Sequence, residues 1–313
     1  MTERSEQPAP DAVHEPPHGT AGAEIEAAVP GQQVLAGMPV PLYPCTPTRL
    51  TTWLDCPRRY RFAYLDRPAP AKGPPWAHNS VGAAVHSALA DWWALPARAR
   101  TPQAGAAAVR SRWLSEGFAD AAQSARMREL AETWVSRYLA GVDPAAEPLG
   151  VERVVSATTR TLALTGRVDR IDERAGADGG RALVIVDYKT GRRALGPEDA
   201  RSSLALAVYA VAAARTLRRP CNRVELHHLP SGTTAAAEHG AAGLERKVAE
   251  AESIAADAAR ADARHRGGLA GAALDAALPP IPSAQCSWCD WRRACPEGQA
   301  AAPEVEPWAA LPL

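Results

Sequence analysis

An apolar, β-branched run that ends in charged residues is the feature that most constrains this chain. Residues 183–186, Leu-Val-Ile-Val, are followed directly by Asp187, Tyr188 and Lys189. Such a run is typical of a buried strand, where an ionised carboxylate and an ammonium group are rarely left uncompensated. Because side chains alternate along a strand, Asp187 and Lys189 project to one face and Tyr188 to the other. With a second acid, Asp169, on the preceding predicted strand, the pattern predicts a metal site for hydrolysis.

Charge and length exclude some classes of protein. The chain has 313 residues and a formal net charge of +0, which excludes a globally basic nucleic-acid binder. A local basic patch remains compatible with this balance, because counterion release depends on the residues near the phosphates. The length allows one large domain or two small ones.

The N-terminal region predicts neither a signal peptide nor a packed domain. Residues 1 to about 42 are rich in Pro, Ala, Gly and Glu without periodicity, and we expect a disordered leader. The first twenty residues lack an apolar core, and no apolar stretch of the sequence approaches the ~18 residues of a membrane span. We therefore expect a cytoplasmic protein without a membrane segment.

Hydrophobic periodicity predicts helices around a small set of strands. The strands fall between about 150 and 190, with a hairpin turn over 175–180, and at 224–229. The predicted helices cover 47–65 with Thr48 as N-cap, a stretch from Asn79 or Ser80, most of 103–140, 197–217, and 241–266. Residues 279–295 are rich in Cys and Trp, and we expect them to form a cap. We expect residues 301–313 to form a flexible tail. A strand-strand-helix-strand core flanked by helices predicts an α/β fold.

The two aspartates and the lysine suit phosphodiester hydrolysis. That reaction needs charge neutralisation at the scissile phosphate and a hydroxide formed near neutral pH, which divalent metals held by carboxylates supply. Asp169 and Asp187 on adjacent strands could share one cation, and Lys189 could orient the attacking water or stabilise the transition state. The alternative is an exposed hairpin end, where Asp and Lys are ordinary surface residues.

The cysteines suggest a second metal centre. Cys286, Cys289 and Cys295 have the spacing C-x2-C-x5-C, and Cys56 stands far upstream before a proline. In a reducing compartment such cysteines are more often metal ligands or bystanders than disulfides. Three nearby thiols are one short of a tetrahedral set, so a fourth must come from elsewhere. Cys45 and Cys221 have no partner pattern.

The run G-R-V-D-R-I-D, then V-I-V-D-Y-K-T-G, resembles the PD-(D/E)xK nuclease superfamily, in particular its RecB-type exonuclease branch. The resemblance implies a restriction-endonuclease-like core, with a mixed central sheet flanked by helices. It implies Mg²⁺ or Mn²⁺ as cofactor, and assistance to the attacking water from Lys189. The implied metal ligands are Asp169, Asp187, the backbone carbonyl of Tyr188, and His86, which ends the run G-A-A-V-H on an upstream helix. Taken alone, His86 is more typical of a partly buried helix histidine with a backbone partner, and the two aspartates favour its interpretation as a ligand.

Two further positions belong to the same resemblance. Glu152 matches a glutamate often found before the first aspartate, although an ordinary exposed strand residue would look the same. After the lysine, the family usually has a helix with Gln and Tyr four residues apart. Here Tyr209 is kept and Ala205 stands in place of the glutamine, a departure that bears on substrate handling and leaves the metal site intact.

A subgroup of this branch, which includes AddB and the nucleases of CRISPR adaptation, carries a 4Fe-4S cluster on one N-terminal and three C-terminal cysteines. The resemblance therefore implies an iron-sulfur-stapled helical cap on Cys56, Cys286, Cys289 and Cys295. Zinc is the alternative, although zinc sites more often join two nearby pairs of ligands.

Arginines and aromatic residues flank these cysteines. The set consists of Arg58, Arg59, Arg61, Arg292, Arg293, Tyr60, Trp288 and Trp291. Arginines bind phosphate and aromatic rings stack on unpaired bases, which suits single-stranded DNA. The alternative is a solvated charged face, with tryptophans that shield the cluster. Arg192 and Arg193, just after Lys189, are a second candidate phosphate contact.

Together these features predict a metal-dependent DNA nuclease domain over residues 43–300. We expect an exonuclease that acts on single-stranded DNA or DNA ends, in DNA repair or recombination. The sequence has no G-x4-G-K-[ST] loop, so a separate helicase or repair protein is a possible partner. The alternative is a catalytically weak DNA-end-binding module, or an accessory subunit of a helicase-nuclease system.

Overall fold

The computed structural model describes residues 41–175 and 179–311. The expected leader falls almost entirely on residues 1–40, and the centre of the expected hairpin turn on 176–178. Both lie outside the described residues.

Six strands and ten α-helices form within the described ranges. The strands are β1 (Tyr43–Cys45), β2 (Gly150–Thr158), β3 (Leu162–Ala175), β4 (Arg181–Lys189), β5 (Cys221–His228) and β6 (Thr233–Glu238). The helices of the N-terminal half are α1 (Pro47–Asp55), α2 (Pro57–Tyr64), α3 (Ala77–Ala94), α4 (Pro102–Arg112) and α5 (Ala121–Ala140). The remaining helices are α6 (Pro197–Ser202), α7 (Leu204–Leu217), α8 (Ala241–Arg266), α9 (Gly271–Ala277) and α10 (Pro296–Ala301). Short 3-10 helices cover Ala97–Ala99, Ala284–Trp288 and Arg292–Ala294.

All six strands join one mixed sheet in the order β1-β3-β4-β5-β6, with β2 paired to β3. The long β3 pairs antiparallel with β2 and β4 and parallel with β1. β4 and β5 are parallel and are connected through α6 and α7. The predicted α/β fold with a mixed central sheet flanked by helices is therefore confirmed.

The strand β4 is buried on both faces, as its apolar run predicts. Leu183 and Ile185 pack in the core beneath α7, whereas Val184, Val186 and Tyr188 pack against the residues of α3 and α5. This double burial fixes the register of β4, because a slip by one residue would exchange its two faces. It also fixes which way Asp187 and Lys189 point.

The N-terminal helical stretch is divided where the sequence analysis predicted one helix over 47–65. Thr46, rather than Thr48, caps α1, and its side chain accepts the Arg49 amide. Cys56 separates α1 from α2 in an extended conformation, because the following Pro57 disfavours helical geometry at the residue before it. The Cys56 sulfur then accepts the Arg59 amide as the cap of α2. The break directs this thiol toward the C-terminal segment rich in Cys and Trp.

Similar breaks divide two other predicted helices. The 103–140 stretch is interrupted between α4 and α5, and Asp120 caps the second helix. Ser203 separates α6 from α7 and caps α7 through the Leu206 amide. The predicted strand 224–229 spans Cys221–His228 instead. Its partner β6 was not predicted, because the three alanines and the glutamate of T-T-A-A-A-E disfavour a strand. The short β1 was also missed.

The C-terminal residues differ from the expected flexible tail. Residues 302–311 lie against the body of the protein, where Ala302 and Ala310 are buried. The Pro307 carbonyl accepts the Ala77 amide at 3.1 Å, and Ser287 donates to the Pro303 carbonyl at 2.7 Å. This segment therefore connects the cap to the start of α3. Among the described helices, none is long and apolar enough to cross a membrane.

Gly166, three residues before Asp169, is required by close packing. A Cβ at this position would overlap the Cε1 atom of Tyr209 on α7 and approach Pro47. We expect Gly166→Ala to lower the free energy of unfolding by about 1–3 kcal/mol through overpacking. Urea unfolding measures this change.

A second glycine provides the matched control. Gly243 lies within α8, and a Cβ there would meet only atoms at 3.9 Å or beyond. Gly243→Ala should leave stability unchanged or raise it, because alanine favours helix. Equal stability of the Gly166→Ala variant and the wild type would contradict the packing argument.

Candidate metal centre

The candidate site lies where the pairing between β3 and β4 stops. Arg170 and Val186 are the last paired residues at this end, and Asp169 and Asp187 are the next positions in the same register. β4 continues beside β5 as far as Lys189, so the strands separate only on the β3 side. The Tyr188 amide donates to the side chain of Asp169 on β3, at 2.8 Å from Oδ2, in place of a backbone carbonyl of that strand. The gap between the strands is therefore occupied by carboxylates.

His86 enters this gap from α3. Its Nδ1 lies 3.3 Å from Asp169 Oδ2 and its Nε2 lies 3.1 Å from the Tyr188 carbonyl oxygen. Burial opposes the charged imidazole, but the Asp169 carboxylate, helped by Asp187, outweighs burial and raises the pKa of His86 to about 9. The imidazole thus bridges two oxygen groups of the kinds that bind divalent cations.

Glu152 reaches the same point from β2. It lies between the pairs Val151–Arg170 and Arg153–Val168, and therefore opposite Asp169. Its φ of +48° is unusual for a residue other than glycine, and its carboxylate lies 2.8 Å from Arg167 Nε. Burial and the neighbouring Asp169 raise the pKa of Glu152. The side chain that sequence reasoning left ambiguous thus faces the other carboxylates.

Asp187 and Lys189 project to the same side, and Asp187 Oδ2 lies 2.8 Å from Lys189 Nζ. This oxygen is buried, and the Lys189 ammonium group is the partner that balances its charge. Burial and the Asp169 carboxylate raise the pKa of Asp187 against the opposing effect of Lys189. Burial acts in the same direction on Asp169, but His86 and the Tyr188 amide outweigh it and lower the pKa of that residue.

The donor atoms fit a divalent cation. His86, Glu152 and Asp169 each offer a ligand atom, and these atoms all lie within 4.8 Å of one another. Carboxylate, carbonyl and imidazole groups together suit Mg²⁺ or Mn²⁺. The buried Asp187 carboxylate, which pairs with Lys189, is a further oxygen ligand that the gap offers to a cation.

Comparison with known proteins agrees with this geometry. The profile of the PD-(D/E)XK nuclease superfamily matches residues 44–296. The chain belongs to the PD-(D/E)XK nuclease superfamily. A search of curated proteins finds no match to the sequence. Proteins of this superfamily are typically metal-dependent nucleases, in keeping with the carboxylate-rich gap between β3 and β4.

Two other positions of this PD-(D/E)XK chain, Ala205 and Tyr209, lie in the N-terminal half of α7. The Tyr209 ring is half-buried and packs beside Gly166. Ala205 is one turn earlier on the same helix, and is partly exposed. Arg192 follows β4 and is exposed, whereas Arg193 pairs with Asp199. Arg192 therefore remains accessible to a phosphate.

The structure brings four of the six cysteines together. Cys56, Cys286, Cys289 and Cys295 line one cavity between the start of α2 and the 3-10 helices of the cap. Cys45 and Cys221 are buried elsewhere, in the cores beside the sheet. All six thiols are free.

Backbone amides point at the sulfurs of this cavity. Cys56 Sγ accepts the amides of Arg59 and Ile281, both at 3.4 Å. The Ser283 amide donates to Cys286 Sγ at 3.5 Å, and the Gly298 amide donates to Cys295 Sγ at 3.4 Å. Such donors stabilise the thiolate form that binds metal.

The arginines expected to contact phosphate near the cysteines bind the protein itself. Arg58 is buried, forms ion pairs with Asp275 and Glu297, and donates to the Leu278 carbonyl. Arg292 donates to the carbonyls of Gln299 and Ala302. Arg59 lies 3.5 Å from Asp55. These side chains line or surround the cysteine cavity and join its segments.

The donor set predicts binding of a divalent ion. We expect Mn²⁺ to raise the thermal midpoint of the wild type, because a ligand that binds only the folded state stabilises it. Glu152→Gln and Asp169→Asn should each reduce this increase, since each variant removes a carboxylate of the site. Differential scanning fluorimetry in EDTA and in Mn²⁺ measures the effect.

Glu245→Gln, at an exposed position of α8, is the control for loss of one carboxylate. It should respond to Mn²⁺ as the wild type does. An identical Mn²⁺ shift in all four proteins would place the ion outside this gap, and no shift in the wild type would contradict the site.

Proposed function

We propose that this chain is a metal-dependent DNA nuclease of the RecB type, an exonuclease acting on single-stranded DNA or DNA ends in repair or recombination. The observation that carries the proposal is the meeting of His86, Glu152, Asp169, Asp187 and Lys189 at the end of the β3–β4 pairing. The nuclease domain would span residues 43–300 of a cytoplasmic protein.

Each side chain has a distinct role in the proposed reaction. Asp169, Asp187, His86 and the Tyr188 carbonyl would hold the divalent ion, and Glu152 joins them as a further ligand. The bound ion supplies charge neutralisation at the scissile phosphate. Lys189, held beside Asp187 at 2.8 Å, presents its ammonium group to the attacking water or to a phosphate oxygen. The Tyr188 amide orients Asp169 through their hydrogen bond.

We further propose that Cys56, Cys286, Cys289 and Cys295 hold a 4Fe-4S cluster that closes the two ends of the domain into a helical cap. Their shared cavity and the amide donors to their sulfurs support a common metal centre. Zinc sites more often join two nearby pairs of ligands, whereas Cys56 stands far from the other three cysteines in the sequence, which favours the cluster over zinc.

The substrate assignment rests on the family and on exposed charge. Membership of a nuclease family implies DNA, and Arg192 beside the site is available for phosphate. The cap tryptophans are engaged in packing: Trp288 lies 5.3 Å from the Trp76 ring, and Trp291 lies under Lys72. Trp291 also lines the cysteine cavity. The preference for single strands rests on the RecB-type resemblance. The same resemblance is the basis for a separate helicase or repair partner.

A non-catalytic DNA-end-binding module is the second candidate. Ala205, in place of the glutamine usual on this helix, is the observation that favours it. The complete set of carboxylates, histidine and lysine favours the enzyme.

A cleavage assay separates these two candidates. We expect Mn²⁺-dependent degradation of end-labelled DNA by the wild type, lowered about 100- to 1000-fold by Lys189→Met, because one charge stabiliser of the transition state is lost. Lys247→Met is the matched control and should cut normally, because Lys247 lies on α8 and bonds Glu250 and the Ser202 carbonyl. Asp187→Asn should abolish cleavage. DNA binding without cleavage by the wild type would instead establish the module.

The cysteine assignment has a separate test. Anaerobically purified protein should be brown, with broad visible absorbance that is lost in Cys289→Ala and kept in Cys221→Ala. Cys221 is a buried free thiol of the sheet core, so it controls for the loss of a cysteine. A colourless wild type that contains stoichiometric zinc would overturn the cluster.

A further inference from the structure

Arg170 follows Asp169 directly but points to the other side of the sheet. It is only 4% exposed, and it lies among the aromatic residues that pack between the sheet, α3 and α5. A guanidinium in such a position destabilises the fold unless charged and hydrogen-bonding partners surround it. The partners of Arg170 therefore indicate what the residue does.

Those partners converge on Tyr188. Arg170 Nη1 donates to the Tyr188 hydroxyl at 3.1 Å and to the Tyr138 hydroxyl at 3.0 Å. Its Nε lies 2.9 Å from Asp172, which balances the charge. The guanidinium also lies over the rings of Trp93 and Tyr188, at 5.2 and 5.7 Å from their centroids. Trp93 Nε1 donates to the same Tyr188 hydroxyl at 3.3 Å.

The backbone of Tyr188 lies in the candidate metal centre. Its amide donates to Asp169 and its carbonyl lies 3.1 Å from His86 Nε2. The side chain is 3% exposed, and its ring contacts those of Tyr138, His86 and His227. A shift of this ring would therefore move a peptide group that touches two of the candidate ligands.

The register explains why Arg170 is well placed to hold this ring. Arg170 pairs with Val186, so Tyr188 is its diagonal neighbour on the same face of the sheet. Backbone pairing of β3 with β4 ends at this point, while Asp169 and Asp187 occupy the opposite face. The bond between guanidinium and phenol thus joins the two strands directly behind the carboxylates, where the backbone no longer does so.

We propose that Arg170 is a positioning residue for the metal centre and acts through Tyr188. It clamps the Tyr188 ring, and thereby fixes the carbonyl and amide of Tyr188 and the separation of Asp169 from Asp187. This inference deepens the proposed function and rests on the same site. Lysine is a poor substitute, because it offers neither the planar fork nor the stacking surface of arginine.

Two variants test the clamp with Mn²⁺ as the probe and without DNA. Tyr188→Phe keeps the ring and removes the hydroxyl, and Arg170→Met removes the guanidinium. We expect each to weaken Mn²⁺ binding about 10- to 100-fold, the range typical for partners that orient metal ligands. The double variant should bind no more weakly than the weaker single variant, because both changes break one linkage. Isothermal titration calorimetry of the full chain measures these affinities.

Arg174→Met is the matched control. Arg174 lies four pairs further along β3, contacts Asp172 as Arg170 does, and pairs with Glu225 instead of Tyr188. It should lower stability without changing Mn²⁺ affinity. If Arg170→Met does not fold, Tyr188→Phe decides alone, since loss of one hydroxyl preserves the packed ring.

Wild-type Mn²⁺ affinity in a folded Tyr188→Phe variant, or in a folded Arg170→Met variant, would overturn the proposal and leave Arg170 a purely structural residue. A wild type that binds Mn²⁺ but does not cleave DNA would contradict the proposed function alone, and the affinity comparison would still decide the clamp. A wild type that does not bind Mn²⁺ would overturn both.

Discussion

Negative charge gathered where β3 and β4 separate is the constraint on which the rest of the site depends. Asp169, Asp187 and Glu152 come from three strands. Burial, together with the neighbouring Asp169 carboxylate, raises the pKa of Asp187 and of Glu152. The protein opposes this negative charge with His86 and Lys189, and with the Tyr188 amide. A divalent cation would complete the compensation. The types of ligand atom and the excess of negative charge therefore both indicate a divalent cation.

The surrounding structure holds this unfavourable arrangement in place. β4 is buried on both faces, and the ring of Tyr188 lies in the core that also supports α3. The start of α3 is tied to the cap, because Trp76 Nε1 donates to Asp290 at 2.8 Å and the Ala77 amide donates to the Pro307 carbonyl. The cysteine cavity and the helix that carries His86 are thus parts of one packed unit.

The sequence alone predicted the strand β4 and the common face of Asp187 and Lys189. It did so because a short apolar, β-branched run is typical of a buried strand, and side chains alternate along a strand. The roles of His86 and of the four cysteines were inferred from the resemblance to a known family, because spacing alone does not assign them. The place of Glu152 in the site depends on the register of the β2–β3 hairpin. Had a tight turn after Thr158 been predicted from the sequence, it would have placed Glu152 opposite Asp169. The helix breaks at Cys56 and Ser203 were not predicted, because each is a local N-cap within a stretch whose apolar periodicity continues across it. Arg170 looked like an ordinary strand arginine, since its partners are distant in sequence.

The most direct test of the central claim is the location of manganese in crystals grown with Mn²⁺, from anomalous scattering at the manganese edge. The account predicts a peak in the gap between β3 and β4, in contact with Asp169 and at least one of His86, Glu152 and Asp187. A fully occupied peak elsewhere, with this gap empty, would contradict it.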